Sequence, residues 1–164
     1  MNPKRPFEEV LAAHGAAIWR VCRAVLGPAD ADDAWSETFL SALEAYPRLP
    51  SDANVEAWLV TIAHRKAIDE RRRAARRAVP VAEVPSRQAV ETRSARDLDL
   101  VRSLSFLPEK QLYSVVYHYL AGLPYKDVAD IIGGSTDAAR RASADGIAAL
   151  RKTLAPTGGK ADDR

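Results

Sequence analysis

Two stretches, far apart in a chain of 164 residues, most restrict what it can fold into. The first, WLVTIAHRKAIDERRRAARR, runs from Trp58 to Arg77, begins apolar and ends strongly basic. The second, LPYKDVADIIGGSTDAARRASADGIAALRKTL, runs from Leu123 to Leu154. Both repeat apolar residues at helical spacing. Gly133-Gly134 divides the second into two short helices, because glycine accepts the positive φ that a tight turn needs. Between the two stretches the helical pattern fails, from Ala78 to about Arg93, where Pro80 and Pro85 sit among small and polar residues. A chain interrupted there builds two small helical units, and its 47% hydrophobic content suffices for two small cores.

The expected fold is therefore all-α: two small helical domains joined by a flexible linker, the second containing a helix-turn-helix. Residues 1–78 make a three-helix domain, 79–93 the linker, 94–155 the second domain and 156–164 a disordered tail. The first helix is expected over Phe7–Leu26, stopped by Gly27-Pro28. The second covers Ala29–Tyr46 with Asp30 as its N-cap and Ala31, Ala34, Phe39, Leu40 and Leu43 as its apolar face. Asn54 or Asp52 caps the third, with Trp58, Leu59, Ile62, Ala63 and Ile68 on its packed side. Further helices are expected over Ser94–Phe106, Glu109–Leu120, Tyr125–Ile132 and from Ser135 or Thr136 to Leu154. No segment carries a strand pattern.

The net charge is only +2, so bulk electrostatics say little about partners. The distribution says more. Seven Lys or Arg lie between Arg65 and Arg77, against Asp69 and Glu70. From Asp30 to Glu56 the chain is acidic, with Arg48 as its single base. A basic patch beside an acidic one suggests two partners, one of them a nucleic acid. Cys22 is the only cysteine, which excludes an intrachain disulfide and makes a reducing, cytoplasmic setting the expectation. No apolar run has the length of a membrane span, so no membrane insertion is expected.

In the second stretch, Val128, Ala129 and Ile132 face inward and Thr136, Arg140 and Arg141 are candidates to face a groove. Such a unit reads base edges with its second helix while the first crosses the backbone, and arginine supplies bidentate contacts to guanine or phosphate. Two packed helices with solvated arginines would look the same. The basic helix end, Arg65, Lys66, Arg71, Arg72, Arg73, Arg76 and Arg77, suits phosphate positioning. It also suits a solvated C-terminus complementing the helix dipole. Trp58 could stack on an unpaired base or lie in the core. The acidic helix, with Asp30, Asp32, Asp33 and Glu37 beside Trp35, Phe39 and Leu40, suits a basic protein partner. It lacks the histidines of a di-iron site. His14 and His118 sit at core-like positions, and His64 lies within the basic helix. No histidine spacing resembles a zinc site, and neither a phosphate loop nor a nucleophile elbow is present. No catalytic constellation, metal site or cofactor is expected.

The order of elements resembles the bacterial extracytoplasmic-function sigma factors of the sigma-70 family, over about Phe7 to Leu154. Asp30, Asp33, Ala34, Glu37, Thr38, Phe39 and Leu40 stand where that family has D-x-x-D-A and E-T-F-L. Trp58, Leu59, Thr61, Ile62, Ala63, Ile68, Asp69, Arg71 and Arg72 stand for W-L-x-T-I-A and I-D-x-R-R. In the second half Leu107-Pro108, then Gly122, Leu123, Tyr125, Asp127, Val128 and Ala129, and finally Leu150-Arg151 match region 4.

The resemblance implies a factor that binds core RNA polymerase, recognises double-stranded promoter DNA and holds the unpaired −10 strand. It implies polymerase contacts from Asp30, Asp33, Glu37, Phe39 and Leu40. It implies −10 contacts from the loop Tyr46–Val55 and from Asn54, Trp58, His64, Arg65, Asp69, Arg71, Arg72, Arg73 and Arg76. It implies −35 contacts from Ser135, Thr136, Arg140, Arg141 and Ser143, and an anti-sigma factor as a further partner. In the last helix the chain departs from the family. Ala139 and Ser143 replace bulky apolar residues, Asp145 replaces a basic one, and Gly146 costs the helix about 1 kcal/mol against alanine. These departures imply a −35 contact that is weaker, in another register or dependent on the holoenzyme. They also leave open a sigma-like module that binds polymerase without reading −35. A stand-alone helix-turn-helix regulator is the other alternative, although no dimerisation helix is evident.

Overall fold

The computed structural model describes residues 3–77 and 95–155, and every regular element among them is helical. The expected linker, 79–93, and the expected tail, 156–164, lie outside the described residues. The first helix, α1 (Phe7–Leu26), has Glu8 and Glu9 in its first turn and Arg23 in its last, charges that complement its dipole. Val10, Gly15, Ile18, Val21, Cys22 and Val25 lie on one side of it and are buried.

Helix α2 (Ala31–Ala45) follows the Gly27-Pro28 turn. Asp30 does not cap it. Its backbone is already helical (φ −103°, ψ −7°) and its side chain makes no capping bond. A capping side chain reaches back to the first turn from an extended backbone, which this tight entry does not provide. Pro47 ends α2 in a short 3₁₀ turn, Tyr46–Arg48. Asn54 then caps α3 (Val55–Arg76): its backbone is extended and its Oδ1 accepts the Ala57 N–H at 3.1 Å.

These three helices pack on one another around a run of edge-to-face and tilted rings. Phe7 meets Phe39 and Tyr46 (centroids 6.4 and 5.4 Å), Trp35 meets Phe39 (4.8 Å) and Tyr46 meets Trp58 (6.3 Å). The expected packed side of α3 is rotated. Leu59, Val60, Ala63, His64 and Ala67 are buried, whereas Trp58, Ile62 and Ile68 are half-buried. The reason is that α3 is covered from two directions, by α1 and α2 and by the later helices.

The later group comprises α4 (Ala95–Ser105), α5 (Glu109–Val115), α6 (Tyr125–Ile132) and α7 (Thr136–Leu154). The single helix expected over Glu109–Leu120 changes at Val116, and its last five residues form a π-helical turn. The Ala121 N–H reaches Val116 O at 3.3 Å across that wider turn. Leu112 to Tyr117 are six consecutive buried residues, so this helix is covered all round. Tyr119, near its end, is 58% exposed.

Gly133 and Gly134, both at positive φ (87° and 91°), turn the chain from α6 to α7, where Ser135 accepts the Ala138 N–H at 3.0 Å. The buried residues of α7 are Ala139, Ser143, Gly146 and Leu150. This small-residue stripe lies on α5. A Cβ at Gly146 would stand 2.7 Å from Val115 Cγ2, so a larger residue there would force the Val115 side chain or the helix pair to shift.

The two groups also touch. Helix α1 packs on α4 and on the π-helical turn, and α3 approaches α6.

Candidate nucleic-acid and polymerase interfaces

Helix α2 presents one open face. Asp30, Asp33 and Glu37 are exposed on it, and Leu40 and Leu43 are 63% and 51% exposed. Leu40 and Leu43 thus stand in water beside carboxylates. Phe39 is not part of that surface. It is buried against Phe7 and Trp35, because its position faces α1 and the aromatic core. Leu43, read from the sequence as core, belongs to the open face instead, three residues from Leu40. Partial burial, then the nearby Glu70 and Asp33, raise the Asp30 carboxyl above the usual carboxylate range.

The Tyr46–Asn54 loop is held from the N-terminal side. Lys4 donates to the Tyr46 carbonyl and, at 2.6 Å, to that of Leu49, and the Tyr46 hydroxyl donates to Arg5 O at 2.6 Å. Between this loop and α1 lies an open cleft of about 390 Å³, lined by Lys4, Val10, His14, Leu49 and Val55 among others. The Asn54 side chain is occupied in capping, and Trp58 is half-buried against Tyr46.

Along the rest of α3, Arg65, Asp69, Arg72, Arg73 and Arg76 are exposed. Arg73 lies 3.5 Å from Glu70, a surface pair of small energetic weight. His64 and Arg71 differ from these. His64 is 7% exposed, its Nδ1 is hydrogen-bonded to the Tyr117 hydroxyl at 2.5 Å, and its ring stands edge-on to Tyr113 and Tyr117. Burial pushes its pKa down to about 4, so the ring is neutral near pH 7. Arg71 Nη1 donates to the Tyr113 hydroxyl at 2.9 Å and approaches Glu109 at 3.4 Å. In this arrangement both residues engage the later helices, His64 buried and Arg71 half-buried, whereas both were expected to be presented to DNA.

At the start of α7, Ser135, Arg140 and Arg141 are exposed and Thr136 is half-buried. Arg140 pairs with Asp137 at 2.8 Å and lies over the Tyr125 ring. Ser143, expected at the groove, is fully buried and accepts a hydrogen bond from the Tyr125 hydroxyl at 3.1 Å. Its burial beside Tyr125 removes it from the surface.

The residues that sequence reasoning missed are Glu109, Tyr113 and Tyr117. They are spaced by four, which places them on one helix face. That spacing was legible, but what the face meets was not. Among the described residues no group of three or more His, Cys, Asp or Glu is placed to hold a metal ion, and no helix is long and apolar enough to cross a membrane.

Residues 10–77, which span α1 to α3, match the family model of sigma-70 region 2. The chain is 28% identical over 169 residues to the ECF RNA polymerase sigma factor SigD of Mycobacterium tuberculosis (strain ATCC 25618 / H37Rv), covering 94% of this chain and 80% of SigD. The chain thus resembles the extracytoplasmic-function sigma factors of the sigma-70 family. The chain is also 28% identical over 136 residues to SigC of Mycobacterium tuberculosis (strain CDC 1551 / Oshkosh), covering 79% of the chain and 72% of SigC. Among solved structures it resembles CnrH, seen in complex with the cytosolic domain of CnrY, with 25% identity and a TM-score of 0.68 over 90% of this chain and 86% of that one. Its fold also matches RpoE of Bartonella quintana, solved with the anti-sigma factor NepR, at 20% identity and a TM-score of 0.78 over 90% and 96% of the two chains.

Proposed function

We propose that this chain works as a sigma factor divided between two domains, α1–α3 and α4–α7. The exposed face of α2, with Asp30, Asp33, Glu37, Leu40 and Leu43, docks on core RNA polymerase. The Tyr46–Asn54 loop and its cleft receive an unstacked base of the −10 element. Arg65, Arg72, Arg73 and Arg76 of α3 run beside the separated strand. Helices α6 and α7 form a helix-turn-helix whose Ser135, Thr136, Arg140 and Arg141 enter the −35 major groove.

The observation that carries this reading is the split character of α3. Its first half is built into the core, and its second half projects exposed arginines from that rigid base. Phosphates of a melted strand repel one another, and fixed cations lower that repulsion. Unstacking costs about 1 to 2 kcal/mol per base-pair step, an amount that a few such contacts offset. Two weak modules held on one polymerase gain affinity from effective concentration. Of the departures in α7, Ala139, Ser143 and Gly146 are buried, Gly146 against Val115 of α5 and Ser143 beside Tyr125 of α6, whereas Asp145 is exposed. An anti-sigma factor is a further proposed partner, since the CnrH and RpoE structures each hold a second protein.

The test is promoter opening in vitro. Purified protein and core polymerase are incubated with a library of duplex promoters, and permanganate reactivity is read around −10. Core-dependent, sequence-selective opening supports the proposal. Core binding with no opening, or duplex binding that ignores core, overturns it.

A further inference from the structure

The residues ahead of α1 run beside the turn that ends α2 and bond to it. Pro3 and Pro6 flank Lys4 and Arg5. A proline fixes its own φ and keeps the residue before it extended, so this tetrapeptide is a stiff strap. Pro6 holds the extended form (φ −54°, ψ 145°) up to the first turn of α1. Extended backbone leaves its polar groups free to bond elsewhere, and here they converge on one place. The Lys4 ammonium donates to the carbonyls of Tyr46 and Leu49, which bracket the 3₁₀ turn, and lies 4.4 Å from the centre of the Tyr46 ring. The Tyr46 hydroxyl in turn donates to Arg5 O at 2.6 Å. Lys4 and Arg5 also line the cleft of about 390 Å³ that this loop forms with α1. The strap is thus one wall of the cleft and the tether of another. It lies ahead of residues 10–77, the stretch that matches sigma-70 region 2.

We propose that Lys4 is a positioning residue for the −10 loop: by holding the Tyr46 and Leu49 carbonyls it fixes the width of the cleft, and so which unstacked base the cleft accepts. The inference rests on the promoter reading above. A loop that yields accommodates a wrong base as readily as the right one, so discrimination needs a supported loop. Lysine suits the task. One ammonium carries several donors and holds two carbonyls at once, and a bond from a charged donor is stronger than a neutral one. Lys4 is itself exposed, whereas Tyr46 beneath it is buried, so removing the cation leaves the aromatic core in place.

The test uses the full chain. Lys4→Met keeps the length of the side chain and removes its charge and donors. Lys4→Arg keeps both. Tyr46→Phe keeps the ring and removes the bond to Arg5. Hydrogen exchange over residues 46–54 is read by mass spectrometry in the free protein. Base preference along −10 and −35 is read from the promoters opened out of a duplex library with core polymerase, and core binding is measured beside it.

Lys4→Met and Tyr46→Phe are expected to exchange about tenfold faster over 46–54, as for the loss of one charged or buried hydrogen bond. The centres of α1 and α3 should exchange as in wild type. Preference at one −10 position should fall by about tenfold, the weight of a single pocket contact, while −35 preference and core binding stay unchanged. Lys4→Arg should restore both readouts. Wild-type exchange in Lys4→Met overturns the inference. Faster exchange with an unchanged −10 preference also overturns it, since a clamp of purely structural use would give that result. Equal losses in core binding, or failure of Lys4→Arg to restore the preference, overturn it as well. In each of these cases the wild type still opens promoters selectively and the promoter reading stands. If the wild type opens none with core, that reading falls and carries the inference with it, whatever the exchange shows.

Discussion

The Tyr117 hydroxyl lies 2.5 Å from Nδ1 of His64, a residue 53 positions earlier in the chain. The pair is buried, and it ties the third helix to the π-helical turn that follows α5. Helical spacing indicated neither partner, and their union removes His64 from the surface.

That burial has a pH signature. The His64 pKa falls from 6.5 to about 4, chiefly through desolvation, with Glu109 opposing and Arg65 adding to the drop. Tyr113 and Tyr117 cover the ring, and Arg71 holds Tyr113. Between these two pH values the unfolded chain binds a proton that the folded chain does not. Stability is therefore full above about pH 6.5 and declines as pH falls toward 4, by up to about 3 kcal/mol. Urea denaturation at pH 7.5 and pH 5, in wild type and His64→Gln, should show a smaller pH difference in the variant. Equal slopes would place His64 in water.

Gly146→Ala sets two effects against each other. Alanine improves helix propensity by about 1 kcal/mol. The added methyl meets Val115 Cγ2 at 2.7 Å, and overpacking costs about 1 to 3 kcal/mol. A net loss of about 1 kcal/mol is expected, because a helix-to-helix contact has little freedom to move aside. In the background of Val115→Ala the same substitution should become neutral or favourable. A double-mutant cycle by urea denaturation measures the coupling, and simple additivity would exclude the contact.

Phe39 and Leu40 are neighbours with opposite tasks. Phe39→Ala should lose about 3 to 5 kcal/mol of stability, as for a large ring removed from a core. Leu40→Asp should leave the denaturation midpoint within about 0.5 kcal/mol, and core polymerase binding should weaken at least tenfold. Comparable binding by Leu40→Asp and wild type would move the docking surface elsewhere.

Arg72 and Arg76 are exposed on the basic half of α3. Replacing both with glutamine should reduce promoter opening while polymerase binding stays near wild type. The salt dependence of binding to unpaired DNA should flatten by roughly 0.7 in slope for each phosphate that is no longer neutralised. Equal losses in polymerase binding and opening would contradict their assignment to the strand.

What the sequence determined by itself was mostly local. The bounds of α1 and α6 follow from apolar periodicity and from Gly27 and Gly133 just beyond them, and Asn54 and Ser135 cap as their side-chain chemistry dictates. Such signals act over a few residues, so a linear reading captures them. Family resemblance was legible for the same reason, since its motifs are short runs on single helices.

The tertiary structure decided which face of each helix meets what. It put Phe39 inside and Leu43 outside, turned Ser143 toward Tyr125, and converted Gly146 from a local defect into the point where two helices touch. It also brought His64 and Arg71 against Tyr117 and Tyr113. A helical pattern specifies that a stripe is apolar, small or charged. Whether a stripe faces solvent, a neighbouring helix or the other half of the chain depends on packing between segments distant in sequence, and periodicity carries no information about that distance.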